Sequence, residues 1–233
     1  MIFVTGDTHG GMDENKLHEN HFLKGNSLTK DDYVIICGDF GYIFYPINNN
    51  TQEYYKLKWF EKQPWTTLFI DGNHENHKRL NEYPIEEWHG GKIHRINDSV
   101  LHLMRGQVFD IDGKTFFTMG GAESIDKNMR IMDVSWWKEE LPNHTEIEEG
   151  FDNLEKHNNK VDYVITHTCP ISITNQMKSN GVFNYVYKDP TSELLERYME
   201  ILDFKHWWFG HFHFDVDINS HFTCLYQKVV DIL

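Results

Sequence analysis

A chain of 233 residues with 39% hydrophobic and 15% aromatic residues carries enough apolar material for a sizeable core, which excludes a disordered chain. Its 36 acidic residues against 22 basic ones give a formal net charge of −14, which repels polyanions and excludes a general nucleic-acid coat. No run approaches the ~18 apolar residues that suggest a membrane helix. Three cysteines without CxxC spacing, Cys37, Cys169 and Cys224, read as reduced thiols rather than a disulfide framework.

In chain order, MIFVT is a short apolar run that stops at Gly6. It has neither the basic start nor the length of a signal peptide, so a cytoplasmic location is expected. YVIIC stops at Gly38, with Cys37 expected in the core; residues 51 to 63 then have helical character, and TLFID stops at Gly72. FDIDGKTFF places Asp112-Gly113 between alternating apolar residues, a hairpin signal, and FFTM ends at Gly120. Helical character returns over 145 to 157, YVIT stops at His167, and a helix is expected over 191 to 202. WWF stops at Gly210, and DVDINSHFTCLY reads as a second hairpin turning at Asn219-Ser220. Runs of four or five residues rich in Val, Ile, Phe and Tyr, alternating with helices, predict an α/β sheet architecture. The hairpins add antiparallel strands, which favours two packed sheets over one doubly wound sheet. No repeat, low-complexity tract or linker is visible, so a single domain over 1–233 is expected.

The residues just beyond the end of each run carry the chemistry. Asp7 and His9 come after the first, Asp39 after the second, Asn73 and His74 after the third, His167 after the fifth, and His211 and His213 after the sixth. Ligands of open α/β sheets gather beyond the carboxyl ends of strands, and five runs deliver oxygen and nitrogen donors there. Asp7 with His9, and His211 with His213, stand two apart, so extended backbone would point each pair to one side. Seven candidates (Asp7, His9, Asp39, Asn73, His167, His211 and His213) are too many for one tetrahedral zinc and suit two ions with a carboxylate between them. The donor set, without thiolate, suits Mn, Fe, Zn or Ni. Two such ions ~3.5–4 Å apart can share and deprotonate a water while holding phosphoryl oxygens, which is hydrolytic chemistry.

The blocks GDTHG, GDF, GNHE, the TH of VITHTCP, and GHFH stand in the order of the calcineurin-like metallophosphoesterases, which the sequence resembles from residue 6 to residue 213. The resemblance implies a four-layer αββα sandwich of two mixed sheets flanked by helices, enclosing a dinuclear centre with manganese favoured. It implies that Asp7, His9, Asp39 and His213 hold one metal and that Asp39, Asn73, His167 and His211 hold the other, with Asp39 bridging. A metal-bridging hydroxide would attack phosphorus. His74 would stabilise the transition state or protonate the leaving oxygen, and Glu75 would orient its neighbours. His77 is read as a helix-start residue.

The protein-phosphatase branch extends its second block to GDxxDRG, whereas in this chain Phe40, Gly41, Tyr42 and Ile43 come after Asp39. The acidic partner of the catalytic histidine and the phosphate-binding arginine are both missing there, so the resemblance favours the phosphodiesterase-type members. A positive group is expected from MGGAESIDKNMR, where Arg130, with Lys127 behind it, is the choice for the substrate phosphate because a guanidinium pairs with phosphate in bidentate fashion. Trp136 and Trp137 are read as core or rim packing, with stacking on a base or sugar as the alternative. The expected partner is a small phosphodiester or phosphomonoester, a nucleotide among the options, with no membrane and no nonspecific nucleic acid. Two other readings stand beside this one: a Ser/Thr protein phosphatase-like activity, and a metal-binding docking module without catalysis.

Overall fold

The structure, a computed structural model, describes residues 1–46, 51–185 and 187–232. Thirteen strands among these residues form two mixed sheets. The first holds β1 (Ile2–Thr5), β2 (Tyr33–Ile36), β3 (Thr66–Phe69), β4 (Ile85–Trp88), β5 (Gly91–Asn97), β6 (Val100–Leu103) and the last strand, β13 (Val229–Asp231). Its order is β13-β1-β2-β3-β6-β5-β4, with β1, β2, β3 and β6 parallel. The second holds β7 (Gln107–Ile111), β8 (Lys114–Met119), β9 (Tyr163–Thr166), β10 (His206–Phe209), β11 (Val216–Asp217) and β12 (Phe222–Cys224), ordered β11-β12-β10-β9-β8-β7. Both expected hairpins are present, β7 with β8 and β11 with β12.

The period of two in each strand builds the layers. Ile2, Val4, Ile35 and Leu68 pack against Phe116, Tyr163, Ile165 and Trp208 between the sheets. Phe3, Val34, Ile36 and Phe69 point the other way, onto Phe60 of α1 (Thr51–Lys62) and onto Trp65. On the far side, Phe117, Val164, Trp207 and Phe209 meet α3 (His144–Lys156), α4 (Ile171–Ser179) and α5 (Pro190–Met199). The remaining helix, α2 (His77–Leu80), starts at His77 with Asn76 as its cap. The result is the αββα sandwich expected, with Cys37, Cys169 and Cys224 free and buried.

Strands β4 to β6 have no counterpart in the sequence reading. β4 alternates exposed and half-buried positions and carries two glutamates, the composition of a guarded sheet edge rather than of a buried strand. Inside this edge, β5 and β6 carry two buried histidines, His94 and His102.

Candidate metal centre

The loops leaving β1, β2 and β3 of one sheet and β9 and β10 of the other meet at one end of the sandwich and bring the seven donors together. Two groups have their ligand atoms within 4.8 Å of one another: Asp7, His9 and His213, and His9, Asp39 and His74. Asp39 stands in the middle, with one carboxylate oxygen 3.1 Å from His9 Nε2 and the other 3.3 Å from His167 Nε2. His167 Nε2 also lies 3.2 Å from Asn73 Oδ1 and 3.2 Å from His211 Nδ1, while His213 Nε2 is 3.2 Å from Asp7 Oδ2.

The backbone achieves this differently from the sequence expectation. The pairs Asp7/His9 and His211/His213 are not aligned by extended chain. His9, Asp39, His211 and His213 have φ of 44°, 46°, 65° and 57°, in the left-handed region, and His9 opens a short 3₁₀ turn, His9–Gly11. Such conformations are sterically costly for residues with a Cβ and concentrate where a side chain must be aimed. Two glycines are needed for close approach. A Cβ on Gly72 would stand 2.1 Å from Asp39 Oδ1, and one on Gly210 would stand 2.2 Å from Asp7 Oδ1.

His9 and His167 are each aimed by the nitrogen that does not face Asp39. His167 Nδ1 lies 2.9 Å from the Cys37 carbonyl, which turns Nε2 toward Asp39; His9 Nδ1 lies 2.7 Å from Asp13 Oδ2, and Asp13 in turn accepts from the Tyr226 hydroxyl at 2.6 Å. Lys16 is buried and donates to the carbonyls of Gly6, Asp7 and Tyr226, tying the first loop to the last. Glu75 takes up the orienting place expected of it, accepting the Gly41 amide at 3.0 Å and the Gly72 amide at 2.6 Å, so that it clamps the Asp39 loop to the Asn73 loop. Asn73 Nδ2 donates to Ser124 Oγ at 3.3 Å, and Ser124 donates to Glu140 at 2.6 Å, which leaves Asn73 Oδ1 facing the centre. Asp13, Lys16, Ser124, Glu140 and Tyr226 escaped the sequence reading. Only Asp13 carries a local signal, four residues beyond His9.

The electrostatics mark a place for cations. Asp7 and Asp39 are almost fully buried, at 0% and 1% exposure, and among the described residues no lysine or arginine forms an ion pair with either. Burial opposes ionisation of Asp39, but His167, His74 and His9 outweigh it and hold its carboxyl well below the usual range. Burial likewise works against protons on His9 and His167, yet the two carboxylates push these imidazoles up to about 9 and about 10. Protons on imidazoles thus stand in for positive charge. Donor atoms 3.1–3.3 Å apart also match the ~3 Å separation of neighbouring ligands whose bonds to a metal are ~2.1 Å. The residues present therefore fit divalent ions.

His74 lies at the edge. Its amide donates to Asp39 Oδ1 at 2.8 Å, and its Nε2 accepts from the Arg130 guanidinium at 3.0 Å. Arg130 is only 13% exposed, pairs with Asp126 at 2.7 Å and lines the same cleft. Lys127 turns to Glu123 instead and does not line it. Trp137 is buried against Phe44, and the half-buried Trp136 donates from Nε1 to Glu140 at 2.7 Å.

Comparison with known proteins agrees with this geometry. The profile of the calcineurin-like phosphoesterases matches residues 1–215. A stretch of 117 residues is 34% identical to lariat debranching enzyme A of Xenopus laevis, covering 45% of this chain and 22% of that protein. The chain thus spans less than a quarter of that relative's length.

Proposed function

The chain belongs to the calcineurin-like phosphoesterase family, and we propose that it is a dinuclear metal-dependent phosphodiesterase that cleaves a small diester to a monoester and an alcohol. Asp7, His9, Asp39 and His213 would hold one divalent ion, and Asp39, Asn73, His167 and His211 the other. When bound, the ions supply a nucleophile from water at neutral pH and neutralise charge on the phosphoryl oxygens.

The observation that carries the diester reading is a pair of cavities that share His9, Met12 and His74. One, of about 520 Å³, extends toward Arg130, Ile125 and Tyr226; the other, of about 300 Å³, extends toward Phe44, Tyr45 and Gln52. A monoester has one organic arm and would leave one cavity without a tenant, whereas a diester has an arm for each. Phosphoryl oxygens entering between them take the Arg130 N–H groups, which fit phosphate in bidentate fashion. His74, released from Arg130, then faces the departing oxygen at Nε2, takes up the proton given off when water becomes the nucleophile, and passes it to that oxygen. The acidic chain and the carboxylate-lined cleft favour a compact substrate over a long polyanion. Neither the GDxxDRG pattern nor an arginine beside Asp39 supports a protein phosphatase.

The test is hydrolysis of bis-p-nitrophenyl phosphate and p-nitrophenyl phosphate by protein stripped of metal and refilled with Mn²⁺. The diester is expected to be preferred by ~10-fold or more in kcat/KM, the equivalent of one charge-assisted contact. Preference for the monoester would overturn the diester reading, and turnover of neither, with two metals bound, would favour the docking-module reading.

A further inference from the structure

A cavity of about 320 Å³ lies between the end of β3, α2, the β5–β6 pair, the turn at 138–140 and the start of α3, and it shares no lining residue with the two cavities at the metal face. Its walls contain two buried polar atoms without any hydrogen-bond partner, His77 Nε2 and Glu139 Oε2. Orphaned groups of this kind are rare in folded proteins because burying a polar group without a partner forfeits its hydrogen bonds to water.

Both orphans are acceptors. The His77 side chain is 4% exposed, and its Nδ1 edge faces Asp71 Oδ2 at 3.7 Å, so the charge of that carboxylate favours the tautomer with its proton on that side and the lone pair at Nε2. Burial lowers the affinity of this imidazole for a second proton, to a pKa of about 3. The nearest cations make their direct contacts with other groups, although the Lys78 ammonium also feels the Glu139 charge. Arg105 binds Asp71 and Glu146 and donates to the carbonyls, not the carboxylates, of Glu139 and Glu140; Lys78 pairs with Asp133 at 2.8 Å. Three lining carboxylates, Asp71, Glu139 and Glu146, face two lining cations, Arg105 and the exposed Lys138, so one negative charge is left over. An anion would meet the Glu139 carboxylate, to which no lysine or arginine among the described residues is directly paired. A bare metal ion lacks ligands, because among the described residues the groups of three donors within 4.8 Å of one another both lie at the metal face. Leu80, Met104 and Leu141 supply an apolar side to the same space.

We propose that this cavity is a binding site for a compact organic monocation, an alkylammonium or alkylguanidinium, whose N–H groups donate to Glu139 Oε2 and His77 Nε2 while its stem lies along Leu80, Met104 and Leu141. Charge selects the cation, the two acceptors require N–H donors, and the apolar wall favours an aliphatic stem over a fully hydrated ion.

The experiment titrates the Zn²⁺-loaded protein with n-butylammonium and n-butylguanidinium, following the His77 ring resonances by NMR, which the diamagnetic ion leaves sharp, and Tm by thermal shift. Tetramethylammonium, a cation without N–H donors, is the control. Saturable shifts at His77 with dissociation constants of ~1 mM or tighter are expected for the two donors and not for tetramethylammonium. Glu139→Gln, which keeps shape and removes charge, should weaken binding at least ~10-fold, as loss of a charged hydrogen bond does, and His77→Gln should weaken it less. Saturation absent for both donors, an equal response to tetramethylammonium, or undiminished binding by Glu139→Gln would each overturn the proposal.

Discussion

Two histidine–carboxylate clusters grow from the single stretch FIDGNHENH, residues 69 to 77, and they are balanced in opposite ways. Asp71 and His77 turn to the β5–β6 side, where Asp71 is met by Arg105 at 2.5 and 3.0 Å and by His102 at 3.2 Å. Burial pushes the Asp71 carboxyl up, but Arg105, with His102 and His77, overrides it and holds the group well below the usual carboxylate range. Asn73 and His74 turn to the metal face, where Asp7 and Asp39 have imidazoles around them and, among the described residues, no guanidinium or ammonium paired to them. The difference separates structure from site. A buried carboxylate paired directly with a cation of its own chain is complete, whereas a pair whose direct side-chain partners are titrating imidazoles is built to receive charge from outside.

The largest expected effects break the comparison directly. Asp39→Asn should lower diester turnover by ~10³-fold, the scale of losing an electrostatic group aimed at the reacting phosphoryl. In metal-stripped protein the same change should cost less than Asp71→Asn does, because relief of repulsion between Asp7 and Asp39 offsets part of what His9 and His167 lose with their carboxylate partner. Asp71→Asn should do the reverse, costing ~3–5 kcal/mol by leaving Arg105 buried without its partner. Equal destabilisation by the two substitutions in stripped protein would show that both clusters are structural.

A smaller effect is expected at Asp13, which sharpens the comparison by leaving every proposed ligand in place. Its carboxylate fixes which nitrogen of His9 faces Asp39. Asp13→Ala should weaken metal affinity ~10–100-fold, measured by titration of Mn²⁺ into stripped protein, with stability of the stripped protein little changed. Unaltered affinity would remove Asp13 from the site.

The two clusters also differ in how far sequence exposes them. The metal face is legible because each donor stands just past a short apolar run, and a strand's carboxyl end is a predictable place. The left-handed φ of His9, His211 and His213 is not legible, since histidine does not announce it as glycine would. The Asp71 cluster is hidden for another reason. Its partner Arg105 lies 34 residues away beyond three strands, β4 to β6, whose charged, half-exposed pattern hides their pairing. The place of His77 as the first residue of a helix is readable from its neighbours; its orphaned Nε2 is not, because only the packing of α2 against the 138–140 turn creates it.

The smallest effects are in pH dependence, where the clusters should pull in opposite directions. Burial holds His77 at a pKa of about 3 and His94 at about 4, both below the ~6.5 of an imidazole in the unfolded chain. The unfolded state then binds more protons than the folded one in acid, so this contribution is whole above about pH 6.5 and is lost as pH falls toward the folded values. His9 and His167 are shifted the other way, to about 9 and about 10, so in stripped protein their contribution is whole below about pH 6.5 and is lost as pH rises through those values. Stripped protein should therefore lose Tm on both sides of neutrality. Each kcal/mol lost is worth roughly 2–4 °C at this size. Filling the site with Mn²⁺ should abolish the alkaline loss alone, because the ions displace the protons that His9 and His167 carry. The acid loss should persist with metal present and shrink in His94→Gln. A metal-induced change confined to the acid limb would contradict the assignment of the two clusters.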